Sequence, residues 1–160
     1  ILCHLAPHAQ NLEQRNTQWH EIIADVENVD YAVFAGDLNY RITLDYDSVL
    51  EHVQKKNLTD LLSKDQLKNV LKTDNVIGKF NEAEIKFNPT FKFDRHCDQY
   101  DTSPKHRTPS WTDRILIRTD DAKMTVGLKN ELYFETDILH YFMKKSKKVR
   151  KQEKNKVFII

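Results

Sequence analysis

The first 35 residues leave few folds open. Ile1 to Leu5 is a short apolar run, Leu12, Trp19, Ile22, Ile23 and Val26 follow at helical spacing within residues 9–27, and Tyr31 to Ala35 is a second apolar run. An apolar stripe with that period buries one face of a helix, and short apolar runs bounded by turn residues are strands. A strand, a helix and a strand in so short a length form a crossover that brings the second strand back beside the first. Gly36 is read as the end of that strand. The polar segment Gly36-Asp37-Leu38-Asn39-Tyr40-Arg41 then emerges just past a strand's C-terminal end, where a β-scaffold can present reactive groups to a ligand.

Further along, Val49, Leu50 and Val53 predict a short helix over 46–56. Residues 58–71 predict a second helical stretch with a break near Ser63. Residues 75–87 read as loop with a strand at 84–87, and Thr90-Phe91-Lys92-Phe93 after Pro89 reads as an edge strand. A polar loop over 94–110 leads to a strand over 113–118 centred on Ile115-Leu116-Ile117. Weaker strands are expected at 123–126 and 131–134.

Composition narrows the function classes. The last 20 residues hold eight Lys/Arg against Glu153 alone, so the body of 140 residues carries −6 within a total of +1. An anion site in that body must be local rather than the product of a global field. Cys3 and Cys97 have no CxxC spacing, which argues against a zinc site or a disulfide framework and fits a reducing, cytoplasmic compartment. No apolar run reaches the roughly 18 residues of a membrane span. The start has neither a charged segment nor a long apolar one, as a signal peptide would, and it lacks Met, so the chain is read as a piece of a longer protein.

Two segments carry candidate chemistry. Asp37 can orient or deprotonate a water, and Asn39, two residues on and on the same face if the backbone is extended, can donate to a phosphoryl oxygen. In the second segment Lys105, His106 and Arg107 precede Pro109-Ser110-Trp111, and three basic groups before a stiff turn can clamp phosphates. Trp111 is expected to pack under that loop. Asp113, at a strand start, can orient an imidazole. His4 and His8 flank the end of the first strand, where an imidazole can touch a phosphate or shuttle a proton.

The order of segments His4–His8, Arg15-Asn16, Gly36–Arg41, Lys64–Leu67, Asn88–Asp94 and Tyr100–Leu116 resembles the inositol polyphosphate 5-phosphatase family, over about residues 2 to 118. The resemblance implies an α/β (α+β) fold of the endonuclease/exonuclease/phosphatase type, a four-layer β-sandwich flanked by helices. Residues 1–140 would be a partial catalytic domain and 141–160 a basic, disordered tail. It implies Mg²⁺-dependent removal of the 5-phosphate from phosphoinositides or soluble inositol polyphosphates. By position, Asp37 would hold the nucleophilic water, Asn39 the transition-state oxygens and His4 the scissile phosphate, while Asp113 would orient a histidine of a later motif. Lys92, Lys105 and Arg107 would grip the neighbouring ring phosphate, and Arg41 and Arg114 are added as substrate contacts.

The chain departs from that pattern in three places. The final Ser-Asp-His motif is absent: Asp137 and His140 are three residues apart and receive no catalytic role. The metal-binding Glu and the Asn of the family's N-terminal half lie outside this chain, so its metal ligands are unknown. Phe91 stands where the family has Tyr. A half sandwich should also expose an apolar sheet face. A catalytically dead phosphoinositide-binding relative is therefore carried as the alternative. A nuclease is disfavoured by the −6 body, which offers no basic track for nucleic acid. The tail is expected to draw the protein to the cytosolic face of an anionic membrane, at up to about 1 kcal/mol per close basic residue, with Val157 to Ile160 as an apolar anchor. Nothing in the sequence sets the oligomeric state.

Overall fold

The computed structural model describes residues 1–24, 29 and 31–119. The expected strands at 123–126 and 131–134, the end of the first helix, the Asp137/His140 segment and the basic tail lie outside the described residues. The elements run β1 (Leu2–His4), α1 (Leu12–Ala24), β2 (Tyr31–Asp37), α2 (Tyr46–Gln54), α3 (Leu58–Ser63), α4 (Gln66–Thr73), a 3₁₀ turn (Ile77–Lys79), β3 (Asn81–Glu82) and β4 (Asp113–Thr119).

The strands form one mixed sheet in the order β1-β2-β4-β3. β1 and β2 are parallel and joined through α1, so the expected crossover forms; β4 runs antiparallel to β2 and to β3. One sheet face is covered. Trp19 of α1 stacks on Phe34 of β2 at 4.1 Å, with Phe80 edge-on, and Leu67, Val70, Ile77 and Leu116 close the same core. A second core of Ile42, Val49, Leu61, Ile85 and Trp111 supports the loops beyond the strand ends. On the opposite sheet face Tyr31 and Val33 are about half exposed, at 54% and 47%, the apolar surface expected of a half sandwich.

Four local expectations are corrected. Gly36 does not end β2, which runs on to Asp37. Gly36 has φ +134°, and a Cβ there would lie 2.0 Å from the Cys3 carbonyl oxygen, so the missing side chain is what lets β1 and β2 stay paired. Helix α1 begins at Leu12 rather than residue 9. His8 has φ +74°, and the carbonyls of Ala6, His8 and Ala9 are taken by the buried Arg15 guanidinium, which leaves no helical path before Asn11. The strand expected at 84–87 falls instead at Asn81–Glu82, where Glu82 is anchored by ion pairs to Arg114 and Lys68. Over 90–93 the chain forms only single bridges, Phe91 with Ser110 and Phe93 with Tyr100. The break near Ser63 has a clear cause: Asp65 accepts from the Lys68 N–H at 2.9 Å and caps a new helix.

Candidate active site

The sheet register assembles the acidic half of the site. His4 is paired with Asp37, and Asp37 with Asp113. Paired residues on neighbouring strands project to one face, so an imidazole and two carboxylates form a single row at the end of the open sheet face. His4 Nε2 lies 3.6 Å from Asp37 Oδ2. Both carboxylates are half-buried and face each other. Asp113 is pushed up to about 6 by burial and then by the charge of Asp37. Burial raises Asp37 as well, against the opposing pull of His4, the Asn39 N–H and Arg41. Asp113 Oδ1 has no hydrogen-bond partner among the described residues; Oδ2 accepts from the Thr112 hydroxyl at 3.5 Å.

Asn39 reaches this row by a turn, not by strand alternation. Its φ is +55°, and its N–H closes back on Asp37 Oδ1 at 3.1 Å. Extended backbone ends at Asp37 because Leu38 N–H turns to the Thr112 carbonyl at 2.7 Å. The buried Asn39 carboxamide donates from Nδ2 to the Leu5 carbonyl at 3.0 Å and accepts at Oδ1 from Arg41 Nη2 at 2.7 Å.

Arg41 links the acid–amide pair to the basic bend. Its guanidinium lies 4.2 Å over the Phe91 ring. Burial lowers its pKa, the Asp37 charge raises it and the Arg107 charge lowers it, so it lies within electrostatic reach of both. Arg107 is fixed by Asp101, which accepts at Oδ2 from the Arg107 backbone N–H and from Nη1, each at 3.0 Å. The Asp101 N–H donates to the Lys92 carbonyl at 3.0 Å, tying Lys92 to the same bend. Lys105 and His106 are exposed, and His106 packs edge-on against Tyr46 at 5.2 Å. Trp111 lies beneath the loop as expected, its Nε1 donating to the Phe87 carbonyl at 3.1 Å.

Arg114 does not join this group. It follows Asp113 on the strand and therefore points to the opposite, covered face. There it is fully buried, with Nη1 donating to both Asp65 oxygens at 3.0 Å and Nε and Nη2 donating to Glu82 at 2.5 and 2.7 Å. Its assignment as a substrate contact is corrected: these bonds to the described residues hold it fully buried on the covered face.

Two residues from the resembling segments 15–16 and 64–67, Arg15 and Gln66, hold the site from behind. Arg15 binds the loop after β1, and its Nη2 donates to Gln66 Oε1 at 2.7 Å. The same Gln66 oxygen accepts the Arg41 backbone N–H at 2.9 Å, while Gln66 Nε2 donates to the Ala9 carbonyl at 3.1 Å. One signal was available for Arg15: it falls within the apolar stripe Leu12, Trp19, Ile23, and a cation there must be fully hydrogen-bonded.

Among the described residues no group of three or more His, Cys, Asp and Glu side chains could hold a metal ion. Asp37 and Asp113 supply carboxylate oxygens, but Asn39 Oδ1 is already taken by Arg41. These residues do not by themselves complete a Mg²⁺ site.

A mixed sheet carrying an acid row at its strand ends, beside an anchored amide and a basic bend, has the architecture of the endonuclease/exonuclease/phosphatase class. The chain belongs to the Endonuclease/Exonuclease/phosphatase family 2, which matches residues 1–141. It is 42% identical over 130 residues to inositol polyphosphate 5-phosphatase K of Mus musculus, covering 74% of this chain and 28% of that protein. It is 41% identical over 126 residues to inositol-1,4,5-trisphosphate 5-phosphatase 1 of Schizosaccharomyces pombe, covering 74% of this chain and 12% of that one. Among solved structures it resembles the inositol polyphosphate 5-phosphatase domain of SPsynaptojanin in complex with inositol (1,4)-bisphosphate and calcium ion. That match has TM-score 0.71 and 30% identity over 92% of this chain and 54% of the other. The chain thus spans about half of the solved domain and less than a third of these two relatives.

Proposed function

We propose that this chain carries part of the catalytic site of a phosphatase that removes the 5-phosphate from inositol polyphosphates or phosphoinositides. The observation that carries the reading is the row His4–Asp37–Asp113 with the Asn39 amide anchored beside it. Asp37 positions a water, and burial raises its affinity for the proton that the water gives up. The water oxygen bonds to phosphorus, the phosphorus–oxygen bond to the ring breaks, and the ring oxygen leaves as an alcohol after taking up a proton. The Asn39 Nδ2 hydrogen not used by Leu5 donates to the phosphoryl oxygens as charge builds there. His4 stands at the scissile phosphate, and Lys92, Lys105 and Arg107 hold the neighbouring ring phosphate. Mg²⁺ is the proposed cofactor, supported by the calcium ion in the similar solved domain; bound, it would neutralise phosphate charge, through ligands outside this chain. A cytoplasmic protein meeting the membrane face through its basic tail completes the proposal, supported by the charge distribution alone.

The complete parent domain, supplied with Mg²⁺, is expected to release phosphate from inositol 1,4,5-trisphosphate, and Asp37→Asn in it to abolish the release; unchanged turnover in that variant refutes the assignment. One observation favours a second reading: the Asp113 oxygen without a partner among the described residues. Ligand binding without turnover, weakened by Lys105→Ala with Arg107→Ala, would identify a binding relative.

A further inference from the structure

We propose that Arg41 is a positioning residue that locks the Asn39 carboxamide in the one orientation leaving an N–H free for the reacting phosphate. The inference rests on the phosphatase reading above. The two ends of a carboxamide are nearly isosteric, so its orientation is decided by its partners. Here Nδ2 donates to the Leu5 carbonyl and Oδ1 accepts from Arg41 Nη2. Flipped by 180°, the amide nitrogen would face the guanidinium, donor against donor, and the amide oxygen would face the Leu5 carbonyl, acceptor against acceptor. Leu5 contributes only a backbone oxygen held by the sheet, since its own N–H donates to the Asp37 carbonyl at 3.0 Å. Arg41 is therefore the one side chain whose replacement changes the choice.

Arg41 is built for the task. Nε donates to the Asn39 backbone carbonyl at 3.2 Å while Nη2 donates to the Asn39 side-chain oxygen at 2.7 Å, so one fork grips both oxygens of one residue. The Phe91 ring fixes the plane of the fork from one side, and the Arg41 backbone N–H is fixed by Gln66. A lysine keeps the charge but has no fork, so it cannot bridge the two oxygens. The left-handed backbone at Asn39 is set by the turn and leaves its side chain to be oriented this way.

Two measurements, the first on the full chain, test the assignment. In ¹⁵N-labelled protein the Asn39 side-chain amide protons should exchange with solvent at least about tenfold faster in Arg41→Lys than in wild type, because the loss of one charged hydrogen bond unlocks the group. Unchanged exchange overturns the proposal. In phosphate-release assays of the complete parent domain Arg41→Lys should lower kcat about tenfold or more with KM within about threefold, and should add less than about threefold in an Asn39→Ala background. A raised KM with kcat kept, or full multiplication of the two effects, makes Arg41 a direct substrate contact instead. Phe91→Leu removes the ring face without touching the Asn39 bonds and should give an intermediate loss of kcat; it serves if Arg41→Lys folds poorly. If the complete parent domain releases no phosphate, the phosphatase reading fails while the exchange measurement still decides the role of Arg41.

Discussion

Replacing Arg114 by methionine separates a scaffold role from a substrate role. The guanidinium lies between two carboxylates, with side-chain exposures of 1% for Arg114, 0% for Asp65 and 1% for Glu82. Lys68 Nζ, 2.7 Å from Glu82, remains to serve one of them, and Asp65 keeps only its cap to the α4 backbone. Removing one partner of a buried ion pair strands the other charge and costs about 3–5 kcal/mol. At roughly 2–4 °C per kcal/mol for a chain of this size, Arg114→Met should melt on the order of 10 °C lower. Fluorescence of the buried Trp19 and Trp111 reports the transition. Arg114→Met combined with Asp65→Asn should recover much of the loss, since Asn still caps and Glu82 keeps its ion pair to Lys68. The effect has a pH signature. Burial alone would raise Glu82, but Arg114 and Lys68 outweigh it and hold the group below the ordinary glutamate value. A depressed folded pKa gives stability that is present above the unfolded pKa and is lost as pH falls through the folded one. The gap between wild type and Arg114→Met should therefore be widest near neutrality and narrow in acid. A variant that melts with wild type but shows a raised KM would refute this reasoning and restore Arg114 to the substrate.

Two further outcomes follow from the sheet. Gly36→Ala places a Cβ 2.0 Å from the Cys3 carbonyl oxygen at φ +134°; it should cost about 3 kcal/mol or more in urea unfolding, and a neutral result would mean that β1 does not lie against Gly36. Asp113 has its folded pKa raised to about 6 by burial and by Asp37, so the folded state binds the extra proton and stability falls as pH rises toward that value. Asp113→Asn should therefore stabilise the protein more at pH 8 than at pH 4, in paired melting curves, and an equal effect at both would remove the acid row.

The frame was legible because apolar period speaks directly about burial. Leu12, Trp19 and Ile23 predicted α1, the runs before Gly36 and after Asp113 predicted β2 and β4, and all three elements form. Element ends were less legible, because backbone polar groups set them from a distance. Nothing near residue 9 announces that Arg15 will take the carbonyls of Ala6, His8 and Ala9. The site was legible at its acid and amide, whose residue types suit only a few kinds of chemistry. It was illegible at Arg114, because type alone does not say which face of a strand a guanidinium will take. The pairing of Asp37 with Asp113 also lay beyond reach, since register is a property of two strands that are distant in sequence.

That register explains why the two informative segments read as they do. A strand residue and its successor serve opposite faces. In Trp111-Thr112-Asp113-Arg114, Asp113 faces the open side while Arg114 ties the same strand to α4 through Asp65. In Gly36-Asp37-Leu38-Asn39, Asp37 faces the open side, Gly36 admits β1 against β2, and Leu38 is fully buried in the core. Each candidate functional group is thus one residue away from the contact that fixes its strand. A substitution at a scaffold position would then move a carboxylate as surely as a substitution at the carboxylate would remove it. The two kinds of defect are separable only by measuring stability beside turnover, because a displaced acid row costs both and a missing carboxylate costs turnover alone.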